Sequence, residues 1–189
     1  MNWRKSVLIV VAAGQLAIPA YLIHRQETTL REGRAYKFKT APVDPYDAFR
    51  GRYVALRYEQ DHAPWPGTNQ VLRQQRAYAR VEEGVDGFAL VREVTPRPPV
   101  TGDFFKVQAN YAGWGTNAGT VYFTMPFDRY YMEETKAPKA EQVYRANNRR
   151  GQTNQNTYAV VRIRQGHAAL ENLFVAGQPI TEMLREKQP

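Results

Sequence analysis

Short apolar runs separated by turn residues recur along most of the chain, and one unbroken apolar run stands near its start. The short runs predict strands at Tyr53–Glu59, Arg76–Glu82, Phe88–Val94, Phe104–Ala109, Val121–Met125, Tyr158–Arg164 and Ala168–Val175. Their spacing, with turn signals between them, is that of an all-β domain. Alternation supports the assignment. In Tyr158–Arg164 the apolar Ala159, Val161 and Ile163 share one face, opposite Arg162 and Arg164, as a half-buried strand requires. In Tyr53–Glu59 the set Val54, Leu56, Tyr58 opposes Tyr53, Ala55, Arg57. Glu83-Gly84-Val85-Asp86-Gly87 and Gln165-Gly166-His167 read as hairpin connections, because their glycines accept positive φ. Helical patterns are confined to Lys139–Arg149, after Pro138, and Ile180–Lys187. Pro-rich Thr95–Val100 and Gly/Asn-rich Tyr111–Thr120 read as loops. The predicted fold class is mainly β, a β-sandwich or partly open barrel-like sheet with short helices, plus one N-terminal transmembrane helix.

The unbroken run is Ser6–Ile23, which carries no charge. As a helix it reaches about 27 Å, close to the hydrocarbon thickness of a bilayer. Arg4 and Lys5 precede it, His24 and Arg25 follow it, and Tyr21 falls where an interfacial ring is favoured. No Ala-x-Ala site follows it, which argues against a cleaved signal peptide. It is also apolar on every side, unlike a helix packed on a soluble core. The expected organisation is an anchor at residues 1–25 and a soluble domain at 26–189, with Glu27–Thr40 as a stalk or first strand. Arg25, Arg31, Arg34, Lys37 and Lys39 after the run oppose an outside domain by charge count. A very short positive start and the length of the domain favour export instead. The expected location is therefore the inner (cytoplasmic) membrane, single-pass, with the domain outside the cytoplasm and lipid as one partner.

Composition narrows the possibilities further. Hydrophobic residues at 43% and charged residues at 23% are a globular balance, and 12% aromatics with 12 Tyr favour strands. The formal charge of +8 suits mild attraction to anionic surfaces. The basic residues are scattered, however, and the pair Arg149-Arg150 lies in the polar run Asn147–Asn156 without interleaved aromatics, which argues against nucleic acid as a partner. With no Cys, the fold must be held by burial without disulfides.

The densest motif is Ala41–Glu59, APVDPYDAFRGRYVALRYE. Asp44 can cap a helix start, with Pro45 at the first position, where its missing N–H costs nothing. Asp47 then falls in a first turn, where negative charge is favoured. Phe49 pins the segment, and Gly51 ends the turn before a strand starts. The stretch Gly51-Arg52-Tyr53-Val54-Ala55-Leu56-Arg57-Tyr58 resembles the signature of the GDYXXLXY proteins, departing only at Arg52, where the family's name has Asp. Pro42-Val43-Asp44-Pro45, Phe49-Arg50, Asp128-Arg129-Tyr130-Tyr131 with Glu134, and the closing segment Leu173–Ile180 are also similar to that family. The resemblance implies a membrane-anchored bacterial protein, with some members occurring alongside polytopic membrane proteins. It implies Asp44, Pro45, Asp47, Arg50, Gly51, Tyr53, Leu56, Tyr58, Tyr130, Tyr131 and Glu134 as structural or interaction residues. A role for the signature Asp in binding a cation or a partner's base is not carried over, because Arg52 replaces it.

Candidate chemistry is sparse. The single Ser is Ser6, inside the apolar run, and there is no Cys, so Ser or Cys nucleophilic catalysis on the soluble part is excluded. His24, His62 and His167 are far apart and form no metal-ligand pair. Gly113-Trp114-Gly115 lacks the spacing and the Lys of a phosphate loop. No metal and no cofactor are expected. The expectation is a tethered, non-catalytic interaction or assembly module of the envelope, partnering another membrane protein. The alternative is a carbohydrate-binding or carbohydrate-active domain, using Trp65, Trp114, Tyr130 and Tyr131 with carboxylates from Glu82-Glu83, Glu133-Glu134, Asp44 and Asp47 in one groove.

Overall fold

The computed structural model describes residues 3–42, 53–66, 73–113, 115, 118–147 and 157–186. The N-terminal run forms a single helix, α1 (Trp3–Glu32), and this helix is long and apolar enough to cross a membrane. None of its apolar window is buried against the rest of the chain. The helix outruns the apolar stretch by nine residues, from His24 to Glu32, where a stalk or strand was expected from Glu27 onward. Its polar end is held in local register. Thr28 Oγ1 donates to the His24 carbonyl at 2.7 Å, Thr29 Oγ1 to that of Arg25 at 2.9 Å, and Arg31 pairs with Glu27.

Every named strand pair is antiparallel. One five-stranded sheet contains β12 (Gln178–Pro179), β11 (His167–Val175), β10 (Tyr158–Arg164), β1 (Arg34–Ala41) and β3 (Arg57–Tyr58), in that order. The other contains β4 (His62–Pro64), β8 (Thr120–Thr124), β7 (Asp103–Ala112), β5 (Gln75–Glu83) and β6 (Ala89–Thr95). A separate ribbon pairs β2 (Tyr53–Ala55) with β9 (Arg129–Tyr131). α2 (Ala137–Asn147) packs on β2, and α3 (Ile180–Glu186) ends the described chain.

The fold is thus mainly β, and the two large sheets nearly close into a barrel-like wall. Phe38, Tyr58, Phe105 and Phe127 meet between them at centroid distances of 5.1 to 6.0 Å. At one seam an isolated parallel bridge joins Phe105 to Gly166. At another the Gln60 side chain substitutes for a missing strand residue. Its amide accepts from the Val91 N–H and donates to the Val91 carbonyl, both at 2.7 Å. This satisfies an edge that would otherwise expose paired donors and acceptors.

Both expected hairpins are present. Gln165 and Gly166 have φ of 49° and 81° between the paired Arg164 and His167. Positive φ at both central residues is the two-residue turn whose twist matches flanking strands. The run Tyr53–Glu59 keeps its alternation, with Val54, Leu56 and Tyr58 buried. It is, however, divided at Leu56 into β2 and β3, which pair with different partners.

Gly33 joins α1 to β1 with no slack. A Cβ there would lie 2.4 Å from the Thr29 carbonyl oxygen and 3.1 Å from both Arg162 Cβ and the Ile163 nitrogen. Two of the three obstacles are backbone atoms, so the helix–strand junction must shift to admit a methyl group. Gly33→Ala is expected to destabilise the domain by about 1–3 kcal/mol, read as a lowered urea midpoint. An unchanged midpoint would show that the junction yields freely.

A candidate interaction ribbon

The fold brings two remote segments of the signature into one ribbon. Tyr53 stands opposite Tyr131, Val54 opposite Tyr130 and Ala55 opposite Arg129. The Leu56 N–H then donates to the Asp128 carbonyl at 2.8 Å, and the Tyr58 hydroxyl donates to the Phe127 carbonyl at 2.8 Å. Val54, Leu56 and Tyr58 therefore tie the ribbon to the core by burial and by satisfied polar atoms. Burial raises the Tyr58 hydroxyl well above its ordinary proton affinity, with smaller contributions from Tyr144 and Asp128. It stays a neutral donor. Tyr130 is half-buried on the same side, its hydroxyl 3.4 Å from Asn172 Oδ1, and desolvation raises its pKa too.

The other side of the ribbon faces solvent. Tyr131 is 66% exposed, and its ring meets that of Tyr53 edge-on at 5.6 Å. The Arg129 guanidinium lies 5.0 Å from the Tyr53 centroid, a distance suited to cation–π attraction. A hydrogen bond with Tyr131, then the nearby Tyr53 and Asp128, stabilise the charged form of Arg129. Its nearest carboxylate oxygen, on Asp128, is 3.8 Å away. Exposed Arg129 and Tyr131, packed against the half-buried Tyr53 ring, form a patch of the residue types that concentrate binding energy at interfaces.

The remaining family positions separate into two groups. Glu134 is exposed in the turn between β9 and α2. Asp44, Pro45, Asp47, Phe49, Arg50, Gly51 and Arg52 lie outside the described residues, as do Trp114 and Arg149-Arg150. Arg129 belongs to the patch although, within the family segment Asp128–Tyr131, only Tyr130 and Tyr131 were expected as site residues. Its signal in the sequence is parity, since in a strand it must share a face with Tyr131.

Other candidate chemistry falls elsewhere. Trp65 is buried in the core, Glu82 is paired with Arg92 and Glu133 with Lys136. A groove of about 550 Å³ runs along β6 and the β5–β6 turn, bordered by Lys39, Tyr58, Gln60, Phe88 and Arg92. Among the described residues, none of the aromatic or acidic side chains considered for sugar binding (Trp65, Tyr130, Tyr131, Glu82, Glu83, Glu133, Glu134) lines it. His62 holds Asp61 at 2.8 Å on the surface and tilts over Tyr122. Among the described residues no group of three or more His, Asp or Glu is placed to hold a metal ion.

No curated protein and no solved structure matches the chain. The family model described as GDYXXLXY protein matches residues 15–173, which include part of α1, both signature segments and most of β11. The chain belongs to the GDYXXLXY family.

Proposed function

We propose that this protein is a membrane-tethered, non-catalytic interaction module of the bacterial envelope, which engages another membrane protein through the β2–β9 ribbon. The observation that carries the reading is the pairing of two family segments so that Tyr53, Arg129 and Tyr131 share one face of the ribbon, with Arg129 and Tyr131 exposed, on a domain continuous with an apolar helix. The helix holds the domain in the inner membrane in a single pass. The domain lies outside the cytoplasm, and a polytopic protein of the same membrane is the partner. A tether suits such a role, because confining both proteins to one bilayer raises their effective concentration.

The test is capture of the full chain from gently solubilised bacterial membranes after brief cross-linking. A membrane protein should be recovered in stoichiometric amount. Recovery of the chain only as a free monomer, with and without cross-linker, overturns the reading.

A further inference from the structure

The end of α1 lies against the β10–β11 hairpin and does not lead away from it. Thr29 is 3% exposed, Arg162 Nη1 donates to the Gly33 carbonyl at 3.1 Å, and Arg164 pairs with Glu32 at 2.9 Å. With Gly33 admitting no side chain, these contacts fix the direction in which the helix leaves the domain.

They also gather positive charge. β7 reaches the same turn, where the Lys106 N–H donates to the Gly166 carbonyl at 3.2 Å. Arg25 is half-buried on the stretch of α1 that packs on β10 and β11, and burial of His167, followed by the charges of Arg25 and Lys106, lowers the proton affinity of that imidazole. Among the described residues neither Arg25 nor Lys106 makes an ion pair, whereas Arg31 and Arg164 are paired with Glu27 and Glu32. Arg25 also sits 5.7 Å from the centroid of the Tyr21 ring.

Depth along α1 says what this cluster faces. The apolar run ends at Ile23, so Arg25 stands about 3 Å beyond it along the axis. A bilayer has a hydrocarbon core of about 30 Å within a total of 40–45 Å, which leaves roughly 5–8 Å of headgroup layer on each side. Arg25 falls in that layer. The β10–β11 hairpin packs on this end of α1, and its turn is carried toward the same level.

We infer that Arg25, Lys106 and the Gln165–His167 turn form a headgroup-binding surface that docks the domain flat against an anionic lipid leaflet, an inference that rests on α1 crossing a bilayer. α1 is then a rigid mount. It sets which face of the domain looks at the membrane and which looks sideways, toward proteins in the same plane.

The absence of Cys allows a single nitroxide-labelled cysteine to report one position. The full chain, labelled at Gln165→Cys or, as control, at Val85→Cys in the exposed β5–β6 turn, is placed in phosphatidylcholine nanodiscs with increasing phosphatidylglycerol. At position 165 collisions with a water-soluble nickel chelate should fall, and those with oxygen rise, as phosphatidylglycerol is added; position 85 should stay water-like. Arg25→Gln and Lys106→Gln should each raise the phosphatidylglycerol content needed for half the effect about fivefold. Water-like behaviour at 165 in anionic nanodiscs overturns the inference. So does the same shift produced by inorganic phosphate in neutral nanodiscs, which would mark a site for a free anion. Alkaline carbonate extraction separates the two layers of the argument. Release of the chain defeats the anchor itself, whereas retention with position 165 in water defeats only the docking. Amide exchange at residues 164–167 of the unlabelled chain, slowed by phosphatidylglycerol if the inference holds and unchanged if it fails, repeats the test without a substitution.

Discussion

Phe105→Ala is expected to cost the domain about 3–5 kcal/mol, measured as a fall in urea midpoint at unchanged slope. Phe105 is fully buried, with the Phe38 and Phe127 rings at 5.9 and 5.4 Å. Its partners come from different parts of the wall, Phe38 from β1 and Phe127 from the loop before β9. Truncation opens a void where those elements meet. Neighbours locked into antiparallel ladders relax only partly into it, which puts the effect in the upper range for large-to-small changes. The backbone position adds to the consequence, because Phe105 also bridges to Gly166 at the seam between sheets. A domain of this size has roughly 5–15 kcal/mol of stability in all, so the variant should be partly unfolded at modest denaturant. Phe105→Leu, which keeps most of the volume, should lose less than half as much. A loss under about 1 kcal/mol for the Ala variant would show that the aromatic cluster is not the joint between the sheets.

Sequence periodicity revealed what depends on near neighbours. Tyr158–Arg164 is a strand within those limits because its alternation matches burial residue by residue, with Ala159, Val161 and Ile163 inside. The β10–β11 turn was legible from Gly166, whose φ of 81° few other residues accept. Long-range pairing was not legible. Val54, Leu56 and Tyr58 point inward as the alternation predicts, yet nothing local shows that the chain changes partners at Leu56. The cause is the Leu56 N–H, which is taken by the Asp128 carbonyl from a distant segment. β4, β9 and β12 were missed for the same reason: they are two or three residues long and exist only through their partners. The helical extension through Thr28 and Thr29 was hidden by composition, since their hydroxyls could equally serve a strand or a cap. Burial of Thr29 on the hairpin decides for the helix.

The same division holds at the candidate site. Tyr53, Tyr130 and Tyr131 were identified through the family resemblance, but not that Tyr53 and Tyr131 share one face while Tyr130 packs against the core on the other. That distinction follows from the register of β2 on β9. It separates signature residues that hold the ribbon to the core from those on its opposite face. Leu56 and Tyr58 belong to the first set, Tyr53 and Tyr131 to the second.

Replacing Tyr53 and Arg129 together by Ala is expected to weaken partner capture by about 2 kcal/mol or more, some thirtyfold in affinity. The estimate rests on how the two side chains are held. Arg129 lies over the Tyr53 face before any partner arrives, which reduces the rotamer freedom lost on binding. Removing both also frees Tyr131, whose ring otherwise packs edge-on against Tyr53. Folding should change little, because the patch lies on the solvent side and Val54, Leu56 and Tyr58 remain to anchor β2. Tyr58→Phe supplies the opposite control. It deletes the hydroxyl that satisfies the buried Phe127 carbonyl and should cost about 1–3 kcal/mol of stability while leaving capture by the folded protein intact. Quantitative cross-linking in membranes at matched expression reads the capture, and urea midpoints read the folding. Equal capture by the double variant and the parent chain would remove the ribbon from the interface. Loss of capture only in proportion to lost folded protein would assign the signature to stability alone.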